Sequence, residues 1–378
     1  MRRDAGAKTR TRRVSETSKN QPAGFLSRRS KRTQWAALVI LSAVLAALLE
    51  WAAIPAGFLL GPMAVAITAG TNGATIGVKR PVYNVAQAVV GCLIARSVTP
   101  TILATFASEW PIFLGVVVAV ITASSLLGWL MSRWNVLPGS TAVWGSSPGG
   151  ATAMMLMAEA FGADARLVAF MQYLRVVMVA LAASLISRIW IDASAGGGAG
   201  APWLEAVAPG ALAQTIALAA FGSWLGHLSR IPAGPLILPL IVGAVLHVSG
   251  IATFALPLWL LAPCYAVLGW RIGLSFDRAI LHHARHAFPR ILASILVLLV
   301  FCGGLAVLLN RALGIDPLTA YLATSPGGMD SVAIIAASSN VDLPFVMTLQ
   351  AVRFFMVLIC GPTIARYAAR RAMANEAS

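Results

Sequence analysis

Residues 320–337 read Ala-Tyr-Leu-Ala-Thr-Ser-Pro-Gly-Gly-Met-Asp-Ser-Val-Ala-Ile-Ile-Ala-Ala, an apolar run broken at its centre by Ser325-Pro326-Gly327-Gly328. Proline lacks an amide hydrogen and clashes with the preceding turn, and paired glycines permit backbone angles closed to other residues. Such a segment stops one helix and restarts another. The same four residues stand 178 positions earlier as Ser147-Pro148-Gly149-Gly150. With that offset held, Asp164 falls on Asp342, Gln172 on Gln350, Arg175 on Arg353 and Met178 on Met356. Upstream, Gly91, Ser97 and Pro111 fall on Gly269, Ser275 and Pro289, and Ile54-Pro55-Ala56-Gly57 returns as Ile231-Pro232-Ala233-Gly234 after a one-residue slip. A duplicated apolar unit with a helix break in each copy is a common transporter design.

Composition sets the solvent. Apolar residues make up 58% of the 378 and charged residues 11%, against about 45–50% and about 25% in soluble proteins. With a mean hydropathy of +0.81, too little polar surface exists to cover a water-soluble globule. The chain therefore reads as an all-α, polytopic integral membrane bundle. Its apolar runs are long enough for helices, whereas barrel strands alternate over about ten residues. Helices are expected over about 34–50, 55–70, 81–97, 109–134 and 165–190, with a broken segment at 137–160. The second series is 210–228, 231–249, 256–275, 288–310 and 343–367, with its broken segment at 317–338.

The domains expected are a basic, disordered tail (1–33), a first membrane repeat (34–192), a Gly/Ala-rich linker (193–209), a second repeat (210–370) and a short C-terminal tail (371–378). Residues 1–33 hold eleven Lys or Arg against Asp4 and Glu16. Ahead of an apolar helix such a tail follows the positive-inside rule, placing the N-terminus in the cytoplasm of a bacterial cell and the bundle in its inner membrane. The mix of Phe25 and Leu26 with Arg28, Arg29, Lys31 and Arg32 also suits anionic headgroups. If each broken segment dips in and returns, the repeats are inverted; if it crosses, they are parallel. The distribution of loop charge favours inversion, though Arg96, Arg188 and Arg311 depart from it.

Backbone left unpaired in lipid costs several kcal/mol per group, so each break is expected inside protein or against a wet cavity. The restarting helix would offer free amides and a positive dipole end to an anion or polar solute. Gln172 and Arg175 share a helical face, as do Gln350 and Arg353. Each arginine lies about 15 Å into an apolar helix, where a charge costs at least about 2.5–3.5 kcal/mol and needs a partner. Two roles are open: holding a solute, or a structural role, either neutralising a carboxylate (Asp330 or Glu159) or capping loose carbonyls at the break. Asp330 follows the second break, where the first has Thr152; it is either a coupling group for a proton or cation, or a helix cap. Asp164 and Asp342 read as N-caps. The candidate site is thus Ser147, Pro148, Gly149, Gly150, Gln172 and Arg175 with Ser325, Pro326, Gly327, Gly328, Asp330, Gln350 and Arg353. Cys92, Cys264, Cys302 and Cys360 lack metal-ligand spacing, and His282 with His286 sits among arginines, so no metal or other cofactor is expected.

The duplicated Ser-Pro-Gly-Gly segments with trailing Gln-x-x-Arg helices resemble the AbrB family of bacterial membrane proteins over about residues 36–370. That resemblance implies two AbrB duplication domains. Family labels are regulator of gene expression and ammonia monooxygenase. The residues fit the second label poorly, because an oxygenase needs clustered His and carboxylate ligands. No DNA-binding module is present in residues 1–33, so no direct nucleic-acid partner is expected. The reading is a non-enzymatic, secondary-transporter-like protein moving a small polar or anionic solute through a midplane site, with a membrane sensor or regulator as the alternative. The bilayer, the solute and a coupling proton or cation are the expected partners, and a homo-oligomer is compatible.

Overall fold

The computed structural model describes residues 25–52, 56–98, 100–134, 136–137, 140–147, 154–155, 158, 162–190, 207–229, 234–276, 278, 282 and 284–376; of Asp330 it describes the backbone alone. Most of the basic tail, most of the Gly/Ala linker, Pro148, Gly149, Gly150 and Thr152 lie outside the described residues.

Among the described residues all regular structure is helical. After a 3-10 turn at Phe25–Arg28 come α1 (Lys31–Trp51), α2 (Gly57–Thr71), α3 (Arg80–Ser97), α4 (Pro100–Arg133), α5 (Thr141–Ser146) and α6 (Ala165–Trp190). There follow α7 (Pro209–Leu228), α8 (Gly234–Val248), α9 (Leu258–Gly273), α10 (Phe288–Leu313), α11 (Pro317–Thr324), α12 (Met329–Ala337) and α13 (Leu343–Glu376). Among the described residues, five helical stretches are long and apolar enough to cross a membrane: Lys31–Trp51, Ala107–Arg133, Ala165–Ile186, Pro209–Leu228 and Phe288–Leu313. This is a membrane protein. The long α4 bends at Glu109, whose φ of −106° and ψ of 17° leave the helical region two residues before Pro111. Proline denies a hydrogen bond to the carbonyl four residues back, which accounts for the bend.

The helices form two groups. In the first, α1 packs on α2 and α7 on α8, while α2 lies along α9 and α8 along α3. Early and late parts of the chain are therefore interleaved. Glycine allows the close approach: a Cβ on Gly269 would sit 2.7 Å from the Leu59 carbonyl oxygen, and one on Gly91 would overlap that of Leu236. Without a hydrophobic drive between lipid-facing helices, such close backbone packing is what holds them. A hydrogen bond from Trp270 Nε1 to Ser42 Oγ (2.9 Å) adds a polar tie.

The second group builds the site. Here α5 packs on α4 and α11 on α10, while α6 touches α5, α11 and α12, and α13 touches α4, α5, α11 and α12. Both α12 and α13 rest on α3, which joins the groups.

Candidate functional site

The break between α11 and α12 is a four-residue extended segment, and all four residues, Ser325 to Gly328, are buried. Ser325 has φ −58° and ψ 139°, the extended state that a following proline imposes. Gly328, at φ −74° and ψ 141°, starts α12, and no side chain caps that helix. Ser147, which precedes Pro148, has φ −60° and ψ 126°. The second break is thus inside the protein, where sequence analysis expected it.

One Gln-Arg pair clamps the second break, and the other holds the carbonyls at the end of α5. Gln350 Nε2 donates to the carbonyls of Leu322 (2.7 Å) and Ser325 (3.2 Å). Arg353 donates to the carbonyls of Ser325 and Gly327 (the latter 2.9 Å) and to Gln350 Oε1. In the earlier stretch, Gln172 Nε2 donates to the carbonyls of Trp144 (3.1 Å) and Ser147 (3.0 Å). Arg175 donates to those of Ser146 (2.9 Å) and Ser147 (3.2 Å) and to Gln172 Oε1. Of the two roles left open, capping of loose carbonyls is therefore present. Carbonyls stranded by a helix break need donors, and a guanidinium supplies several in a rigid fork.

Capping does not exhaust the arginines. Arg175 is 2% exposed and Arg353 4%, and the Nε of each is buried without a hydrogen-bond partner. The two guanidiniums lie close enough to repel one another. No carboxylate among the described residues acts on either. Cys302, on α10, lies in electrostatic reach of both. A cavity of about 10 Å³, with Ser146, Arg175 and Ser294 as its polar lining, opens beside the first clamp; that is room for about one water.

Other predicted residues also find places. Asp164 Oδ1 accepts from the amides of Arg166 (3.0 Å) and Leu167 (3.2 Å), and Asp342 Oδ1 from Phe345 (2.9 Å), as helix caps do. The amide of Asp164 reaches Thr141 Oγ1 at 3.1 Å, and that of Asp342 reaches Thr319 Oγ1 at 3.2 Å. Ties missed in the sequence join each break to the long helix before it. Ser124 Oγ donates to the Ser146 carbonyl, and Thr324 Oγ1 to that of Cys302 (3.1 Å). Their signal was faint, since an isolated hydroxyl or thiol in an apolar helix carries no spacing rule. The described residues hold no group of three or more His, Cys, Asp or Glu able to take a metal.

Comparison with known proteins places this arrangement. The family model described as "Transition state regulatory protein AbrB" matches residues 58–369. The chain belongs to the AbrB family. An AbrB relative named "Putative regulator AbrB", from Escherichia coli (strain K12), is 46% identical over 335 residues, covering 88% of this chain and 96% of that protein. "Uncharacterized protein YhjN" of Bacillus subtilis (strain 168) is 24% identical over 311 residues, covering 77% of this chain and 79% of its own. No solved structure matches this AbrB chain.

Proposed function

We propose that this AbrB protein moves a small polar or anionic solute across the membrane, at the buried Gln-Arg clamps carried by α6 and α13. One observation carries the reading. Two buried guanidiniums repel each other, and each keeps an unpartnered Nε. Charge held this way in a low dielectric is expensive unless an anion visits it. The uncapped start of α12 adds a positive dipole end beside the second clamp. Asp330, in the first turn of α12, is the candidate coupling group for a proton or cation.

Corresponding hydrogen bonds in the two stretches support a duplicated architecture. The reading of it as inverted, in a bacterial inner membrane with a cytoplasmic N-terminus, rests on the charge of the tail and loops. The test is flux of labelled small carboxylates and inorganic anions into proteoliposomes, for the wild type, Arg175→Lys, Arg353→Lys and the two alanine variants. At least one anion should enter with the wild type and be slowed tenfold or more in every variant that stays monodisperse. Equal flux throughout would count against the site.

A second reading draws on the name of the Escherichia coli relative: a membrane sensor affecting gene expression indirectly. Deleting residues 1–24 separates the two. A sensor acting through its tail should lose signalling, whereas a transporter should keep its flux.

A further inference from the structure

The start of α1 is held against the connection between α2 and α3 by one buried side chain. Gln34, 3% exposed, donates from Nε2 to the carbonyls of Leu26 (2.8 Å) and Arg29 (3.0 Å), and this nitrogen lies 3.1 Å from Thr75 Oγ1. Its Oε1 accepts the Thr75 amide (2.9 Å), and the Leu26 amide reaches the Asn72 carbonyl (3.3 Å). Residues 25–30 and the first turn of α1 are thereby fixed in place.

The fixed segment gathers charge of one sign. It presents Arg28, Arg29, Lys31 and Arg32, all exposed, beside the corner that carries exposed Lys79 and Arg80. Arg278, from far along the chain, joins the corner by donating from Nε to the Thr71 carbonyl (2.6 Å); its neighbour Asp277 lies outside the described residues. No Asp or Glu occurs from Phe25 to Leu49 or from Trp51 to Ser108. The later counterpart differs. Gln214 accepts the Thr253 amide (2.9 Å), yet residues 201–214 contain no Lys or Arg.

Aromatic residues mark the level of this cluster. Phe25 is 70% exposed, with the Arg29 guanidinium 5.5 Å from its ring centre. Trp35, one turn into α1, meets Trp270 edge to face at 5.7 Å. Tryptophan beside a basic margin on a membrane helix is the pattern of the headgroup zone. Like charges crowded at such a margin repel, and a phosphate-bearing surface removes the repulsion.

We propose that this corner is a binding site for the phosphate of an anionic phospholipid headgroup, with Phe25 set among the acyl-chain ends. Its recognition is independent of solute movement at the Gln-Arg clamps. The lipid charge is met by Arg28, Arg29 and Arg32 from the fixed segment and by Lys79 and Arg80 from the corner. Gln34 is the positioning residue.

The experiment titrates the full-length protein in detergent with dioleoylphosphatidylglycerol or dioleoylphosphatidylcholine and counts bound lipid by native mass spectrometry. The wild type should bind the anionic lipid at least tenfold more tightly than the zwitterionic one. Arg28→Gln/Arg29→Gln/Arg32→Gln, all at exposed positions, should lose that preference, at roughly fivefold per charge removed. Gln34→Leu keeps every cation but frees the segment, and should lose most of it too. An anionic preference unchanged in the triple variant overturns the proposal. So does displacement of the lipid by inorganic phosphate at equal affinity, or binding of a DNA duplex at this corner in place of lipid.

Discussion

Gln172 and Gln350 each give one amide nitrogen to two backbone carbonyls and one amide oxygen to an arginine, so each side chain is spoken for at both ends. Gln350→Leu keeps the bulk and removes all three bonds. It should destabilise the protein by about 1–3 kcal/mol, the cost of leaving buried polar groups unpaired, read as a lower melting temperature in detergent. Arg353→Lys keeps the charge but loses the fork. An ammonium cannot span Ser325, Gly327 and Gln350 in the same geometry, so a similar loss of stability is expected even though the charge stays. A lysine variant as stable as the wild type would show that charge alone matters there. Both pairs were legible in the sequence, because a charge deep in an apolar helix has to be explained. Their targets were legible only as one alternative, since capping of the carbonyls at the break stood among the open roles. Helical spacing fixes the face on which Arg353 lies without choosing between those carbonyls, a carboxylate and a solute. Cys302 stayed hidden for a related reason: a thiol among leucines reads as a small apolar residue until its neighbours are known.

Helices whose apolar residues run on for twenty positions or more were plain in the sequence, and most of their ends fall within a few residues of expectation. However, α4 begins at Pro100, nine residues before the expected 109, and α13 runs to Glu376, nine past the expected 367. The break at Pro326 was plain too, since proline dictates the extended Ser325. The bend of α4 before Pro111 was not foreseen, because the helix was expected to begin at 109. Packing partners were beyond reach, because glycine spacing marks a close approach without naming what approaches. The contact of Gly269 with the Leu59 carbonyl makes such a packing claim testable. An added methyl at 2.7 Å from that oxygen has no flexible side chain to push aside, so α2 and α9 must separate. Gly269→Ala should destabilise by about 1–3 kcal/mol, as overpacking does. The control is Gly304→Ala on α10, where a Cβ would meet nothing within 4 Å; with the gain in helix propensity, it should leave the melting temperature unchanged or raise it, and not lower it.

Across the whole molecule, the decisive fact is that elements far apart in the chain share one interior. Gly327 of the second break faces α6: a Cβ there would lie 3.8 Å from that of Val179, inside the range of about 3.5–4.5 Å for a disulfide. A Val179→Cys/Gly327→Cys protein, with the four natural cysteines replaced by alanine, should cross-link under mild oxidation. Cleavage at a protease site placed in the 193–206 linker should then yield two fragments that separate only on reduction. Fragments that part without reductant would refute the placement. If solute passage needs the breaks to shift against α6, the oxidised protein should also lose flux and regain it with dithiothreitol. The sequence led to an expected midplane site shared by the two repeats but not to this contact, because a repeat offset says which residues correspond and is silent on which ones touch. The interleaving of α2 with α9 and of α8 with α3 also bears on biogenesis. Gly57–Thr71 leaves the ribosome long before its mate Leu258–Gly273 exists, a wait on the order of 10–40 s at ordinary translation speeds. Throughout it the newborn chain must keep a glycine-lined flank unsatisfied in the bilayer or shielded by the insertion machinery, and a ribosome that stalls midway leaves a fragment with no means of completing itself.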